Sequence, residues 1–245
     1  MRVLIVIPAY NEEAALAGLL AEIRELVIDG VTTDVVVIDD GSTDRTAQVA
    51  RAAGARVLRL SRNLGIGGAV QSGIRVARRE GFDYAVQIDG DGQHPPSELT
   101  KLLAATRTEP APDLIVGTRY TDAANFRSTF LRRLGTWWLR VVLRVVTRTR
   151  YTDPTSGFRL YGPRALRRFD ETYPYDFPEP ESLAIARASR LVVAEQPVAM
   201  RPRQGGTSSI FGFSTVYYMM KVTVAVLLTY VRTAGRKEGT DDAIE

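Results

Sequence analysis

Five short runs of apolar, mostly β-branched residues alternate with helix-like segments through the first half of the chain. The apolar runs lie at residues 2–7, 34–39, 55–60, 83–89 and 113–118. The segments between them lie at residues 12–27, 42–54, 65–81 and 96–107. Continuous apolar strands that alternate with helices are typical of a parallel sheet covered on both faces. The sequence therefore predicts an α/β fold with a mainly parallel sheet.

Glycines and small polar residues mark the ends of the helix-like segments. Gly54 and Gly81 stand where a glycine often ends a helix, because glycine adopts the left-handed conformation without steric cost. Ser42 or Thr43 begins the second segment and can cap the first turn of the helix there. These residues sharpen the predicted boundaries of the second and third helices.

The composition is ordinary for a globular region that folds alone. A catalytic region is the simplest interpretation. The chain has 245 residues, 45% of them hydrophobic, and it has no cysteine. A disulfide framework and a cysteine-ligated metal site are therefore excluded. The first apolar run is too short and too quickly polar for a signal peptide, so we expect a cytoplasmic location.

Positive charge is concentrated in residues 127–168. This segment holds eleven arginines and a single acidic residue, Asp153, although the formal net charge of the whole chain is only +4. A local basic surface attracts nucleic acid, anionic lipid or phosphorylated ligands. The aromatic residues of the segment alternate with aliphatic ones rather than forming a stacking surface, so we expect no nucleic-acid partner.

Residues 129–148 read as a basic amphipathic helix. Leu134, Trp138, Val141 and Val145 recur at helical spacing on one side, and Leu131, Val142 and Val146 widen that stripe. A second side carries Arg133, Arg140, Arg144 and Arg148. A basic amphipathic helix with tryptophans is typical of an element that lies in a membrane interface. An ordinary surface helix packed on the sheet is the alternative.

Residues 211–231 form a second apolar stretch, close in length to a membrane span. Lys221 falls at its middle, where a charge costs at least ~2.5 kcal/mol inside a bilayer. Docking along the membrane surface fits better than a span, and burial against the domain or in a dimer contact is the alternative. We therefore divide the chain into residues 1–210, a C-terminal helix at 211–232 and a charged, disordered tail at 233–245.

Two carboxylates follow the fourth predicted strand in the run VQIDGDGQHPP. Asp89 and Asp91 flank Gly90, which lets the backbone bend so that both can reach one hard cation. Gln93 adds a neutral oxygen within reach. The motif suits Mg²⁺ on a diphosphate, and the only histidine, His94, is expected to be a structural neighbour rather than a ligand.

The ends of the first two predicted strands carry further polar residues. Tyr10, Asn11 and Glu12 follow the first strand, and Asp39 and Asp40 end the second. The carboxyl ends of adjacent parallel strands meet in space. Carboxylates can accept hydrogen bonds from a nucleotide base and a tyrosine can cover its face, so these residues predict a nucleotide pocket beside the metal.

Seven ordered motifs carry a family resemblance. They are IVIPAYNEE, VVVIDDGSTDRT, NLGIGGAVQSGI, QIDGDGQHPP, VGTRY, DPTSGFRLY and RPRQGGTSSI, and together they cover about residues 1–210. In this order they resemble the family 2 glycosyltransferases of GT-A fold, within them the dolichyl-phosphate mannose synthase and polyprenyl-phosphate glycosyltransferase branch. The glycine run in NLGIGGAVQSGI is misplaced for an NAD site, since PAYNEE follows the first strand instead.

The resemblance implies a single GT-A domain that transfers a sugar, with inversion, from a UDP- or GDP-linked donor to a polyprenyl phosphate. It also implies Mg²⁺ or Mn²⁺ and a peripheral position on the cytoplasmic membrane face, with a separate small membrane protein as a further partner. Carried over by motif, the nucleotide-binding residues are Pro8, Ala9, Tyr10, Glu12, Asp39 and Asp40, and the metal-binding residues are Asp89, Asp91 and Gln93. The acceptor-phosphate residues are Arg119, Arg132, Thr136 and Arg203, with Arg133 able to replace Arg132 after a one-residue shift.

The chemistry of a phosphate acceptor agrees with the basic segment. A phosphate monoester, with a second pKa near ~6, already carries a nucleophilic oxygen at neutral pH, whereas a hydroxyl needs a general base. Asp91 and Asp153 are the candidate catalytic carboxylates, Asp153 as orienting group or as base for a hydroxyl acceptor. The alternative roles of Asp153 are to neutralise Arg159 or to cap a turn before Pro154.

Two other functions compete with this interpretation. The first is a transferase of the same fold that acts on a soluble hydroxyl acceptor. The second is a catalytically silent nucleotide-sugar-binding scaffold whose helices recruit a membrane partner.

Overall fold

The computed structural model describes the backbone of residues 1–119, 130–201 and 214–235, and the side chains of these residues except 130–133 and 214–218. Seven strands form one sheet in the order β3-β2-β1-β4-β6-β5-β7. The strands are β1 (Arg2–Ala9), β2 (Thr32–Asp39), β3 (Arg56–Arg59), β4 (Tyr84–Gln87), β5 (Leu114–Thr118), β6 (Arg159–Tyr161) and β7 (Val193–Pro197). The predicted α/β fold with a mainly parallel sheet is confirmed.

Eight α-helices accompany the sheet in the described part of the chain. They are α1 (Leu16–Glu25), α2 (Thr46–Ala52), α3 (Gly65–Arg79), α4 (Leu99–Ala105), α5 (Phe130–Thr147), α6 (Pro163–Glu171), α7 (Pro178–Ala188) and α8 (Ser214–Gly235). A 3₁₀ turn over Pro96–Glu98 leads into α4. Every helix-like segment read from the sequence contains one of these helices.

The register of the first strands brings their carboxyl ends together. Ala9 pairs with Asp39 at the ends of β1 and β2, and Val6 pairs with Gln87 of β4, all in parallel. The three-residue β6 then runs antiparallel between β4 and β5, with Gln87 opposite Arg159. Because β6 reverses direction, the loop that precedes it lies at the same edge as the ends of β1, β2 and β4.

Side chains of successive strand residues pack into two cores on opposite faces of the sheet. Leu4 and Val6 face a core completed by α3, α5, α6, α7 and α8, and Ile5 and Ile7 face a core completed by α1, α2 and α4. Each fully buried aliphatic side chain contributes about 1.5–3 kcal/mol. Burial on both faces explains why the strands read as continuous apolar runs rather than alternating ones.

The predicted helix ends are partly confirmed. Gly54 and Gly81 adopt φ values of 78° and 68° directly after α2 and α3. The predicted cap at Ser42 or Thr43 is wrong, since α2 begins at Thr46 and Asp44 accepts the hydrogen bond from the Thr46 N–H at 2.9 Å. Ser42 instead accepts a hydrogen bond from the Asn11 N–H at 3.1 Å, which ties it to the loop after β1.

Helix α5 has apolar residues on two sides, and the predicted stripe is only partly buried. Val142 and Val146, which widen that stripe, pack into or against the core with Leu139 and Leu143, whereas the rest of the described stripe is exposed. The exposed apolar side chains of α5 are Leu134, Trp137, Trp138, Val141 and Val145. Arg144 and Arg148 are exposed and Arg140 is half-buried, so the arginines do not share one solvated side. Arg133 lies outside the residues whose side chains are described.

Helix α8 packs against α5 and α7, and it leaves an apolar stripe of its own exposed. Val222 and Val226 are buried, Thr223 accepts a hydrogen bond from Trp138 Nε1 at 2.9 Å, and Thr229 donates one to Glu181 at 2.7 Å. The exposed apolar side chains of α8 are Met220, Val224, Leu227, Leu228 and Val231. Within the described ranges, no helix combines the length and the apolarity that crossing a bilayer requires.

The division of the chain at residues 210 and 232 stays a proposal. Residues 202–213 and the tail from 236 onwards lie outside the described residues.

Candidate active site

The loops after β1 and β2 are joined by hydrogen bonds between backbone and side chains. Asn11 Oδ1 accepts a hydrogen bond from the Thr43 N–H at 2.9 Å, and Thr46 Oγ1 accepts one from the Glu12 N–H at 2.9 Å. Pro8 and Ala9 are buried at the end of β1, and Tyr10 is 46% exposed beside them. The predicted nucleotide-binding residues therefore form one continuous surface at the strand ends.

Asp39 and Asp40 form the buried floor of this surface. Asp39 Oδ1 accepts a hydrogen bond from the Ser42 N–H at 2.9 Å, while Oδ2 lies 3.2 Å from Arg59 Nε without hydrogen-bond geometry. Asp40 Oδ1 accepts a hydrogen bond from the Leu64 N–H at 2.7 Å. Burial raises the pKa of Asp40 above its ordinary value, although the backbone N–H groups of Leu64 and Gly65 oppose the shift. Asp39 Oδ2 is thus paired with Arg59 by charge and accepts no hydrogen bond from the described residues.

Gly90 brings the two carboxylates of the metal motif against the end of β1. Its N–H donates to the Pro8 carbonyl at 3.3 Å, and a Cβ at this position would lie 3.2 Å from that oxygen and 3.4 Å from Ala9 Cβ. Asp91 Oδ1 accepts a hydrogen bond from the Gln93 N–H at 3.0 Å, which closes the loop. The structure therefore explains the glycine between the carboxylates by close backbone approach, and it joins the motif to the nucleotide surface.

Asp89, Asp91 and Gln93 fit a hard divalent cation. The side chain of Asp89 is 31% exposed, and Gly157 lies so close that a Cβ there would be 2.6 Å from Asp89 Oδ2. Gly157 therefore leaves space beside that oxygen. No group of three or more His, Cys, Asp or Glu residues able to hold a metal occurs among the described residues. Two carboxylates suffice for Mg²⁺ or Mn²⁺ when phosphate oxygens and water complete the coordination.

His94 supports the metal motif from inside the protein. Its Nδ1 accepts a hydrogen bond from the Asp89 N–H at 3.1 Å, so this nitrogen is not available to a cation. Its ring stacks on Phe158 with the centroids 5.2 Å apart and is 4% exposed. The structure therefore gives His94 the structural role that the sequence predicted.

Gln87, a residue that the sequence reading did not single out, contacts Asp89 directly. Its Nε2 donates to Asp89 Oδ1 at 2.9 Å, and its Oε1 accepts a hydrogen bond from the Tyr161 hydroxyl at 3.3 Å. Burial raises the pKa of Tyr161 to about 12, so the hydroxyl keeps its proton at neutral pH. Gln87 ends β4 two residues before Asp89, and this spacing is the one signal that could have found it.

Arg119 and Asp153 form a buried bidentate ion pair at the end of β5. The distances are 2.7 Å from Nε to Oδ2 and 2.8 Å from an Nη atom to Oδ1, and Thr155 bridges the two residues. The side chains of Arg119 and Asp153 are 10% and 0% exposed. Burial by itself would raise the pKa of Asp153, but the hydrogen bonds and charge of Arg119 hold it below its ordinary value.

Arg159 has other partners, so the alternative role of Asp153, to neutralise Arg159, is wrong. The guanidinium of Arg159 donates to the carbonyl oxygens of Ser156 and Glu179, each at 2.8 Å, and to the Ser182 hydroxyl. These contacts tie the loop before β6 to α7. The physical reason is the position of Arg159 inside β6, where its side chain turns toward α7 rather than toward Asp153.

Glu195 of β7 holds the backbone beside this ion pair, and the sequence offered no signal for it. Its carboxylate accepts hydrogen bonds from the Thr152 N–H at 2.8 Å and from the Asp153 N–H at 3.0 Å. The loop that carries Asp153 is thus held by side-chain oxygens of three residues, namely Asp153, Thr155 and Glu195.

The remaining predicted acceptor residues are only partly described. Thr136 is buried in α5, the side chain of Arg132 lies outside the described part of that helix, and Arg203 lies outside the described residues. The Arg201 N–H donates to the Gln93 carbonyl at 2.9 Å, so the chain that leads to Arg203 passes beside the metal motif.

The comparisons with a family model and with known proteins agree on one family. The family model described as "Glycosyl transferase family 2" matches residues 4–171. Undecaprenyl-phosphate mannosyltransferase of Micrococcus luteus is 34% identical over 222 residues, which are 86% of this chain and 88% of that protein. Polyprenol monophosphomannose synthase of Mycolicibacterium smegmatis is 28% identical over 240 residues, which are 90% of this chain and 85% of that protein.

Solved structures show the same fold. Glucosyl-3-phosphoglycerate synthase from Mycobacterium tuberculosis, solved with Mn²⁺, UDP and glucosyl-3-phosphoglycerate, superposes with a TM-score of 0.69 at 23% identity. The match covers 96% of this chain and 80% of that chain. At this level of identity the likeness establishes the GT-A fold alone.

Proposed function

The chain belongs to glycosyl transferase family 2 and is a glycosyltransferase, and on that premise we propose that it transfers a sugar from a nucleotide diphosphate sugar to a polyprenyl phosphate. The reaction inverts the anomeric carbon and uses Mg²⁺ or Mn²⁺ on the diphosphate. The relatives from Micrococcus luteus and Mycolicibacterium smegmatis, named for undecaprenyl-phosphate and polyprenol monophosphate chemistry, support this acceptor class.

One observation carries the choice of a phosphate over a hydroxyl acceptor. Asp153, the carboxylate offered by the sequence as a general base, is fully buried and both of its oxygens bind Arg119. Its lowered pKa makes it a weak proton acceptor. A phosphate oxygen needs no such base, because it attacks the anomeric carbon in its ionised form while the bond from that carbon to the diphosphate breaks.

The residues at the strand ends bind and orient the donor in this proposal. Tyr10 covers the base, and Asp39, whose Oδ2 is also paired with Arg59, accepts a hydrogen bond from a base N–H. Pro8, Ala9, Glu12 and Asp40 complete the pocket. Asp89, Asp91 and Gln93 would hold the cation, which supplies Lewis-acid stabilisation of the departing diphosphate. Mn²⁺ or Mg²⁺ accompanies UDP in the solved structures of the same fold, which supports this assignment.

Arginines beyond the donor site bind the acceptor phosphate. Guanidinium groups suit this role because they stay charged and match the geometry of phosphate oxygens. Arg119, Arg132 and Arg203 are proposed for it, with Thr136 as a hydroxyl partner. Asp153 then acts on the acceptor indirectly, because it holds the Arg119 guanidinium in one orientation.

The exposed stripes of α5 and α8 support a peripheral position on the membrane that contains the acceptor. Trp137, Val145, Leu228 and Val231 are all more than half exposed, and Arg144 and Arg148 lie at the end of α5. Such a surface buries apolar side chains at the boundary of the acyl chains while arginines contact anionic head groups. We place it on the cytoplasmic face.

An acceptor and donor panel tests the proposal. Purified protein is incubated with Mg²⁺ or Mn²⁺, with UDP- and GDP-linked sugars, and with a polyprenyl phosphate, the corresponding polyprenol or a soluble glycan, and products are identified by mass spectrometry. We expect sugar on the polyprenyl phosphate only. Transfer to the free alcohol or glycan would establish the hydroxyl-acceptor alternative, and donor binding without transfer would establish the scaffold alternative.

A further inference from the structure

We propose that Gln87 is a positioning residue for the cation site: its side-chain amide holds one oxygen of Asp89 and thereby orients the carboxylate that the cation binds. This inference rests on the proposed function, because it takes Asp89 and Asp91 as ligands of the cation. Gln87 itself binds neither substrate nor cation in this proposal.

The direction of the hydrogen bonds follows from the chemistry of the groups. The carboxylate of Asp89 can only accept, so the Gln87 atom 2.9 Å away is the amide Nε2, and Oε1 faces the Tyr161 hydroxyl. Tyr161 must then donate to Oε1. Its single proton is used there, so the Tyr173 hydroxyl, 3.0 Å away, donates to Tyr161. The chain of donors runs from Tyr173 to Asp89.

Every member of this chain except its last is buried. Gln87, Tyr161 and Tyr173 are 2%, 1% and 4% exposed. The rings of Tyr161 and Tyr173 pack edge-on against Phe169, at centroid distances of 5.8 and 5.4 Å. The strand pairing of Gln87 with Arg159 places β6, and with it Tyr161, beside Gln87. The amide is therefore held from two sides before it contacts Asp89.

A hydrogen bond from Gln87 should restrict Asp89 more than it would restrict Asp91, because Asp89 is the more exposed of the two carboxylates. The side chain of Asp89 is 31% exposed, whereas Asp91 is buried, with 4% of the whole residue exposed. Asp91 is held by the nearby Gln93 N–H, whereas Asp89 Oδ1 depends on a side chain. Hydrogen-bond partners that orient metal ligands typically contribute about 10- to 100-fold to metal affinity. We expect the same order for Gln87.

The test removes the amide and keeps its volume. Gln87→Met deletes the donor to Asp89 in a side chain of similar length, and Tyr161→Phe breaks the chain one step earlier. Gln71→Met is the matched control: Gln71 is 3% exposed, its Oε1 accepts a hydrogen bond from Tyr175 at 3.1 Å, and its Nε2 donates to the Asp170 carbonyl at 3.1 Å. It contacts neither carboxylate of the metal motif.

The readout is Mn²⁺ affinity, measured by electron paramagnetic resonance with protein saturated with UDP and, in a parallel series, GDP. Gln87→Met should bind Mn²⁺ at least about tenfold more weakly than wild type. Tyr161→Phe should show a smaller loss, and Gln71→Met none. Nucleotide affinity without metal should be equal in all four proteins, and circular dichroism checks their folding.

Four results would overturn the inference. Mn²⁺ affinity of folded Gln87→Met within twofold of wild type would do so, as would an equal loss in Gln71→Met. If Gln87→Met does not fold, Tyr161→Phe tests the inference instead. Unchanged Mn²⁺ affinity in Tyr161→Phe then rejects the role of the hydrogen-bond chain from Tyr173 to Asp89. If wild type binds no Mn²⁺ with either nucleotide, the proposed cation role fails and the inference fails with it. Mn²⁺ binding by wild type alongside an unaffected Gln87→Met rejects the inference only.

Discussion

The two halves of the molecule hold their polar groups in different ways. On the proposed donor side, formed by β1, β2 and β4, backbone N–H groups two or three residues away hold Asp39 and Asp91: Ser42 donates to Asp39 and Gln93 donates to Asp91. On the proposed acceptor side, side chains from distant parts of the chain hold one another. Asp153 binds Arg119, 34 residues before it. The backbone N–H of Asp153 donates a hydrogen bond to Glu195, 42 residues after it.

This difference explains why the sequence placed the carboxylates of the proposed donor side together but left the partner of Asp153 open. A turn that aims its own N–H groups at a carboxylate is encoded in a few consecutive residues. An ion pair between distant residues depends on the arrangement of several strands. We therefore expect donor-side substitutions to impair chemistry with the fold intact, and substitutions of the buried acceptor-side pair to impair stability as well.

The largest expected effect is on the donor side. Asp91→Asn removes a charge that holds the cation while keeping the shape of the side chain. Transfer should fall by at least about 100-fold and metal-dependent nucleotide binding should weaken, because the diphosphate loses its counter-charge. Steady-state transfer and nucleotide titrations with and without Mg²⁺ measure both effects, and circular dichroism should be unchanged.

Asp83→Asn is the control for Asp91→Asn. Asp83 directly precedes β4, at the opposite end of the same strand, and accepts a hydrogen bond from the Arg2 N–H at 2.7 Å. It should keep full transfer activity. Full activity of Asp91→Asn, or of wild type in excess chelator, would refute the metal site.

The second effect is on stability and comes from the acceptor side. Asp153→Asn leaves the nearly buried Arg119 guanidinium without its counter-charge and should lower the free energy of unfolding by about 3–5 kcal/mol at pH 7. The pKa of Asp153 is lowered in the folded state. Its stabilisation is therefore complete above the unfolded-state pKa of about 4 and is lost as pH falls through the lower folded-state value.

Urea unfolding at pH 7, 5 and 3 measures this dependence. The difference between wild type and Asp153→Asn should be constant from pH 7 to 5 and smaller at pH 3. Glu80→Gln, which breaks an exposed pair with Arg56, is the control and should cost at most about 1 kcal/mol. Equal costs for the two substitutions would remove the contrast between a buried and a surface pair.

The third effect separates the two substrates. Arg203→Ala should raise KM for polyprenyl phosphate by roughly 10- to 100-fold and leave KM for the nucleotide sugar nearly unchanged, because a charge-assisted contact to phosphate contributes about 1.5–3 kcal/mol. Arg201→Ala is the control, since Arg201 pairs with Glu22 at 2.7 Å. A matching rise in KM for both substrates would assign Arg203 to the donor side.

The smallest expected effect concerns the membrane surface. Replacing the exposed Arg144, Arg148 and Arg150 by Gln should weaken binding to anionic vesicles by about 1 kcal/mol per residue, and less at high salt. Trp137→Ser should weaken binding by an amount that salt does not change, because it removes apolar burial. Vesicle sedimentation over a range of ionic strength measures both.

A charge-matched control replaces three exposed arginines outside α5 and α8, namely Arg51 of α2, Arg79 of α3 and Arg107, which follows α4. The control should bind as wild type does. Equal losses in both triple variants would show that net charge alone governs binding, and absence of binding to any vesicle would reject the interfacial role of α5.

The sequence determined the parallel sheet and the convergence of its polar strand ends. Apolar runs with helices between them leave few arrangements other than a sheet covered on both faces. Once the strands are parallel, residues that directly follow them, such as Asp39 and Asp89, lie at one edge. The predicted donor surface therefore followed from periodicity and position, without knowledge of any distant contact.

Tertiary structure alone decided which distant groups pair. Strand β6 has three residues and no readable period, yet its antiparallel register brings Tyr161 to Gln87, 74 residues apart. Asp153 lies in a segment with eleven arginines, and only the fold selects a partner, Arg119, from outside that segment. Helix α5 has apolar residues on two sides, and the position of the sheet decides which side is buried. Local spacing specifies elements and their ends, whereas pairing between elements depends on register and on competition for burial, which no short stretch of sequence contains.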